Sequence, residues 1–302
     1  MRSETERTAA ASEGVRAYYL ATGAIDRALF YMLLGPGQVN PDGTPRYYKP
    51  GQPRFEFDFP TGHASVELIP ESAKLNINMA PPPELARLFL AAGLPPEAAT
   101  EMAAAVLDWR SAAPPSAVSP FDQFYLGQPP GFKARHGVFE EIEELLFVKG
   151  MTPELFHGSY QRTPEGRLIP TGGLKDCLSV WGASAGFDIN SAHPILLNSL
   201  GIPADVVAAI LDRRARQPFL RPEELLPIQQ SAGPGAGKLR IGGNATYTIR
   251  ATATIGIPAQ GGLPPRLSDI RRSVAAVVRF NYEAGSLEPY TVLRWYDNAG
   301  NR

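Results

Sequence analysis

The chain has 302 residues, with 29 basic side chains against 30 acidic ones, 44% hydrophobic content and 20% charged content. That is length for about two domains and for a core that needs no disulfide or metal to hold it. A net charge of −1 lacks the basic excess of proteins that hold nucleic acid by neutralising phosphates, and a single cysteine, Cys177, excludes an internal disulfide and any cysteine-cluster metal site.

The first element is a long helix. From Arg7 to Leu34 there is no proline, and Gly35-Pro36-Gly37 ends the run. Val15, Tyr18, Thr22, Ile25, Leu29 and Met32 recur at spacings of three and four, which predicts an apolar stripe. These residues, with Tyr19, are the candidate packing or partner interface of the stem, and Tyr19 and Ala24 are expected to face partner helices. Gly14 and Gly23 each weaken the helix by about 1 kcal/mol relative to alanine, so the stripe must pack on something.

A polar, proline-spotted stretch follows from Gln38 to Pro53. Phe55-Glu56-Phe57-Asp58-Phe59 alternates with period two and predicts a half-buried strand, with Ser65–Ile69 as its hairpin partner across the turn Pro60–His63. Helical patterns then run to about Gln230 and close at the Gly- and Pro-rich segment Gly233–Gly237. Strands return at Ala245–Ile255, Ser273–Tyr282 and Tyr290–Tyr296, rich in β-branched and aromatic residues. The outline is α+β: a long helix on an antiparallel sheet whose strands flank a large helical insertion. The predicted boundaries are 1–70 for stem and first hairpin, 71–240 for the insertion and 241–302 for the strands that complete the sheet.

The insertion repeats itself. Leu75-Asn76-Ile77-Asn78-Met79-Ala80 is echoed by Phe187-Asp188-Ile189-Asn190-Ser191-Ala192, and Ala104–Arg110 by Ala208–Arg214. Each copy, over about 74–150 and 186–230, reads as an Asn-x-Ala cap, a helix, a Gly-Leu-Pro or Gly-Ile-Pro turn at Gly93 or Gly201, and a second helix ending in Asp-x-Arg. A Glu-Leu-Leu segment follows at Glu144 or Glu224. The unit resembles the helix-hairpin-helix motif, which makes a nucleic-acid-binding protein the alternative function. Its turns carry proline where that motif needs a donor N–H, and Glu97 and Asp205 stand where phosphate would come.

Other motifs give no active site. Gly182-Ala183-Ser184-Ala185-Gly186 matches a nucleophile elbow, but an extended segment rather than a helix follows it. His63, His136, His157 and His193 offer triad partners only by count. Gly233–Lys238 resembles a phosphate loop but has Ala232 for the leading glycine and Leu239 for the magnesium-binding hydroxyl. The acidic run Glu140–Glu144 suits a solvated face or a helix start. No enzyme, cofactor or metal is predicted from these residues.

Taken together, Arg16–Ala28, Lys74–Asn78, Leu107–Arg110 and Glu144–Pro153, with Asp188–Ala192, Pro218-Phe219 and Glu223–Leu225, resemble the K-type minor pseudopilins of bacterial type II secretion. The run ending Lys149-Gly150-Met151-Thr152-Pro153 is the most specific part. The resemblance implies a pilin-like body with a large inserted α-domain, placed at the tip of a periplasmic pseudopilus. It implies I- and J-type minor pseudopilins as partners, other pseudopilus subunits and secreted substrates as further contacts, and no nucleic acid. It also implies a cleaved leader and an inner-membrane anchor; with Met1 followed at once by Arg2-Ser3-Glu4-Thr5-Glu6 and no apolar run near the ~18 residues of a span, the chain reads as the soluble part after that anchor. Some members of the family bind calcium through acidic loops of the α-domain. Here the loop after Arg110 is Ser111-Ala112-Ala113-Pro114-Pro115, without the carboxylates calcium needs.

Overall fold

The computed structural model describes residues 2–35, 37–49, 51–113, 118–164, 166–242, 245–257, 266–281 and 288–299. Met1, Pro36, Pro114, Pro115 and Tyr282, named above, lie outside the described residues. The chain forms two units, Met1–Pro70 with Gly242–Arg302, and Glu71–Ile241.

The first unit opens with α1, Arg2–Leu34. Gly35, at φ +56, ends it in the left-handed region that costs glycine least, and its N–H closes back on Tyr31 O at 3.1 Å. Next come β1 (Arg54–Phe59) and β2 (Gly62–Pro70), paired antiparallel with Phe57 opposite Ala64. Phe55 and Phe57 are buried while Arg54, Glu56 and Asp58 are exposed, as period-two alternation requires. The hairpin turns at Gly62, where a Cβ would stand 2.2 Å from Thr254 O, so only glycine fits.

The second unit is built of short elements, beginning with β3 (Leu75–Asn76), α2 (Pro82–Ala91), α3 (Pro96–Arg110), α4 (Pro120–Leu126) and α5 (Pro153–His157). A small hairpin of β4 (Tyr160–Arg162) and β5 (Leu168–Pro170), which the sequence reading did not separate from the helical region, leads to β6 (Leu178–Ser179). Then follow β7 (Phe187–Asp188), α6 (Pro194–Ser199), α7 (Ala204–Arg216), α8 (Leu226–Ser231) and β8 (Leu239–Arg240). β3 pairs parallel with β6, and β7 pairs parallel with β8. One core serves the unit, containing Leu85, Phe89, Met102, Trp109 and Phe139 from its first half and Phe187, Leu197, Ile210 and Phe219 from its second.

The chain then returns to the first unit as β9 (Thr246–Ile257), β10 (Arg266–Phe280) and β11 (Tyr290–Tyr296). The five strands form one antiparallel sheet in the order β1-β2-β9-β10-β11, so β2 and β9 are neighbours although the whole helical unit separates them in sequence. α1 packs on β2, β9 and β10. Its buried face is Ala17, Ala21, Ala24 and Ala28 with Ile25 and Leu29, set against Val66, Leu68, Ile249, Ala251, Val274 and Ala276.

This corrects the phase of the predicted stripe. Ile25 and Leu29 are buried, Tyr18, Thr22 and Met32 are half-buried, and Val15 is exposed. Ala24, expected to face partner helices, is fully buried instead. The alanines let the helix backbone approach the sheet closely, and close approach decides which face goes in. Large side chains on the flanks only complete the seal.

Candidate interaction surface

Burial of the alanines turns the opposite side of α1 outward. Val15 (56% exposed) and Tyr19 (68% exposed) stand there with Phe30 and Leu33, also exposed. At 100° per residue these four positions fall within about 60° of one another, one continuous stripe. Asp26 is exposed in the middle of it. Tyr18 borders the stripe, its hydroxyl donating to Asp297 Oδ1 at 2.7 Å, a hydrogen bond that raises the phenol pKa. Thr22 Oγ1 donates to Tyr18 O at 3.1 Å within the helix. At the lower end Val15, Tyr18 and Tyr19 line a groove of about 460 Å³ with Ala11, Gly14 and Arg272. A larger open cleft of about 640 Å³ lies beside the β1–β2 turn. There His63 sits between Asp58 Oδ1 (2.8 Å) and Glu56 Oε2 (3.0 Å), and the hydrogen bond to Asp58 raises its pKa.

In the helical unit the repeated residues form repeated contacts. Asn78 accepts from Phe139 N (2.8 Å) and donates to Phe139 O (2.9 Å); Asn190 makes the same pair with Phe219 at the same distances. Arg110 donates to Ile77 O and Ala80 O, and Arg214 donates to Ile189 O and Ala192 O. Burial lowers the pKa of both guanidinium groups. Each copy therefore closes a loop onto a helix end with a carboxamide and a guanidinium. The Asn-x-Ala segment was expected to cap the first helix of each copy. The caps are Pro81 and His193 instead, because the carboxamides are engaged across the loop. Glu144 binds Arg135 and takes Trp109 Nε1 at 3.3 Å, and Glu224 binds Arg213 and Arg221.

The glycines of the motifs of chemical interest answer to packing. Gly182 is required because a Cβ there would lie 2.6 Å from Lys74 O, and Ser184 beside it is exposed, with no hydrogen-bond partner among the described residues. Cys177 Sγ lies 3.5 Å from His193 Nδ1, a pairing the sequence could not show. Burial pushes the thiol far above its ordinary pKa and lowers that of His193, so neither a thiolate nor an imidazolium is favoured there. In the glycine-rich segment Gly235 packs on Leu200 O and Lys238 binds Glu84 at 2.6 Å, so the lysine is spent within the fold. The turns at Gly93 (φ +101) and Gly201 (φ +78) lead to Pro95-Pro96 and Pro203, which lack the N–H groups an anion would need.

The described acids around the Arg110 loop are engaged with protein partners. Asp122 and His136 meet at 2.9 Å, Asp122 also accepts from Ala134 N, and Asp108 accepts from Ser119 Oγ. His136 Nδ1 faces the carbonyls of Asp108 and Ser111, each at 3.2 Å, so both ring nitrogens face acceptors, an arrangement that favours the protonated ring. The charged hydrogen bond to Asp122 raises the His136 pKa. Among the described residues no group of three or more His, Cys, Asp or Glu could hold a metal ion.

Residues 69–158 match the family model for protein K of the type II secretion system, in its first domain. No curated protein matches the sequence. Among solved structures, the chain is similar to one in the crystal structure of the GspK-GspI-GspJ complex from the type 2 secretion system of enterotoxigenic Escherichia coli. The identity is 17%, with 97% of each chain covered and a TM-score of 0.52. The resemblance to K-type minor pseudopilins rests on both, the family match locating it in the helical unit and the structural match extending the fold over the chain. Among the described residues no helix is long and apolar enough to cross a membrane.

Proposed function

We propose that this chain, whose residues 69–158 match the family model for protein K of the type II secretion system, acts without catalysis as the tip subunit of a pseudopilus in protein export. Its stem meets neighbouring subunits through the outward stripe of Val15, Tyr19, Phe30 and Leu33, with the body in the periplasm and the N-terminal end of the stem toward the inner membrane. The observation that carries the reading is the insertion of a 171-residue helical unit, Glu71–Ile241, between adjacent strands of a stem-and-sheet unit. On this reading the bulk of that insertion keeps a further subunit from adding to the fibre.

The solved complex that shares the fold contains I and J proteins, and the same two types are the proposed partners here. The test is size-exclusion chromatography with light scattering on this chain mixed with I- and J-type pseudopilins. A ternary peak at micromolar concentration is expected. Independent elution of this chain from an I–J pair would overturn the proposal.

A further inference from the structure

Arg272 belongs to β10, yet its guanidinium lies on the stem. A Cβ built on Gly14 would stand 3.0 Å from Arg272 Nη2 and 3.3 Å from Nε, so the missing side chain of Gly14 is the seat on which the guanidinium rests. That seat places the charge in the groove lined by Ala11, Val15, Tyr18 and Tyr19. Arg272 is exposed and has no hydrogen-bond or ion-pair partner among the described residues; Arg7 and Arg16, on the same stretch of α1, have none either. The nearby acid Glu13 is occupied, accepting from Ser268 Oγ of β10. This end of the stem therefore presents two exposed apolar side chains beside positive charge that has no ion-pair partner among the described residues.

We propose that Gly14 and Arg272 form a built-in acceptor for a carboxylate on the helix of a neighbouring pseudopilin, with Val15 and Tyr19 taking that helix's apolar side chains. The inference rests on the tip-subunit reading and specifies its chemistry: the partner helix carries Asp or Glu flanked by apolar residues at spacings of three or four. A helix suits the site better than a flat anionic membrane surface, because the charge lies in a groove lined also by Ala11, Val15, Tyr18 and Tyr19. The guanidinium supplies a planar fork to the carboxylate, and Gly14 fixes the direction of that fork.

The experiment measures binding of the I–J pair to this chain at low and physiological salt. Arg272→Ala is expected to weaken binding about tenfold and to flatten its salt dependence, with Arg272→Glu weaker still. Gly14→Ala separates position from stability. The three atoms nearest its methyl group belong to the movable end of Arg272 and alanine favours the helix, so thermal stability holds or rises while binding weakens severalfold. Wild-type affinity in both Arg272→Ala and Gly14→Ala, with binding lost in Tyr19→Asp, overturns the acceptor and leaves the tip-subunit reading intact. No binding by the parent chain overturns both. Arg272-dependent sedimentation with phosphatidylglycerol vesicles but not with the I–J pair overturns the helix as occupant.

Discussion

Replacing Asn78 with alanine removes one side chain and two hydrogen bonds, to Phe139 N and Phe139 O. Phe139 is buried against Trp109, their rings stacked at 6.2 Å, so its backbone groups lose their partner in a packed region. Leaving a buried donor or acceptor unsatisfied costs about 1–3 kcal/mol, which puts the pair at about 2–4 kcal/mol when partial access to water is allowed. For a unit of this size that corresponds to a fall in Tm of about 5–15 °C. Asn78→Asp is more informative. The carboxylate still accepts from Phe139 N but turns a second oxygen toward Phe139 O, whereas the protonated acid can donate there as the amide did. The folded state raises that carboxyl pKa, so the variant regains stability below the unfolded value near 4 and loses it as pH rises through the folded one. Urea unfolding at pH 3.5 and pH 7, followed by near-UV circular dichroism of the Trp109 environment and referenced to the parent chain at each pH, measures both effects. Asn190 should behave alike through Phe219. A loss below about 0.5 kcal/mol in Asn78→Ala, or no relative recovery of Asn78→Asp in acid, would refute the reasoning.

His136 carries a raised pKa, so its contribution is fully present below about pH 6.5 and is lost as pH rises through the folded-state value. The stability advantage of the parent chain over His136→Gln should shrink from pH 6 to pH 9, and ¹⁵N NMR at pH 6.5 should show both ring nitrogens protonated; a neutral ring there refutes the assignment. Cys177, buried and with its thiol pKa pushed up, should resist iodoacetamide in the native chain and react in 6 M guanidinium chloride. Gly182→Ala should destabilise by about 1–3 kcal/mol through contact with the Lys74 carbonyl, while Ser184→Ala changes neither stability nor assembly with the I–J pair. Loss of a hydrolytic activity in Ser184→Ala would contradict the structural account of that loop.

How much of this was legible in the sequence depended on the range of the interaction. The strand segments at Phe55–Phe59 and Tyr290–Tyr296 declare themselves because alternation and β-branching are local properties, and α1 because nothing in 28 residues breaks it. The repeated Asn and Arg residues were visible as letters, but their partners were not. Phe139 is 61 residues from Asn78 while Phe219 is 29 from Asn190, so no common spacing marks the pairs. The Asp122–His136 contact and the seat of Arg272 on Gly14 are likewise products of packing between distant segments. The β4–β5 hairpin escaped because three-residue strands leave too short a pattern.

The stem shows why composition alone misplaces an interface. A reading by hydrophobic size sends Val15 inward and Ala24 outward, and the fold does the reverse. An alanine face lies against a sheet that also offers Ala251 and Ala276, so backbone and strand approach until the small side chains fill the gap. Apolar side chains that such a contact cannot use are left on the far side, and here they form one stripe. Burying Val15 or Tyr19 against a second helix then gains the transfer energy that the intramolecular contact did not take, about 1.5–3 kcal/mol for a fully buried side chain of that class. On the proposed reading, the energy for holding a neighbour is set aside by the same small-residue packing that stabilises the subunit. It follows that enlarging Ala21 to leucine should damage assembly without touching the outer face: the displaced helix would carry Val15, Tyr19 and the Arg272 seat out of register. Charge changes at Asp58 or Glu56, on the exposed edge strand away from that stripe, should leave assembly unchanged.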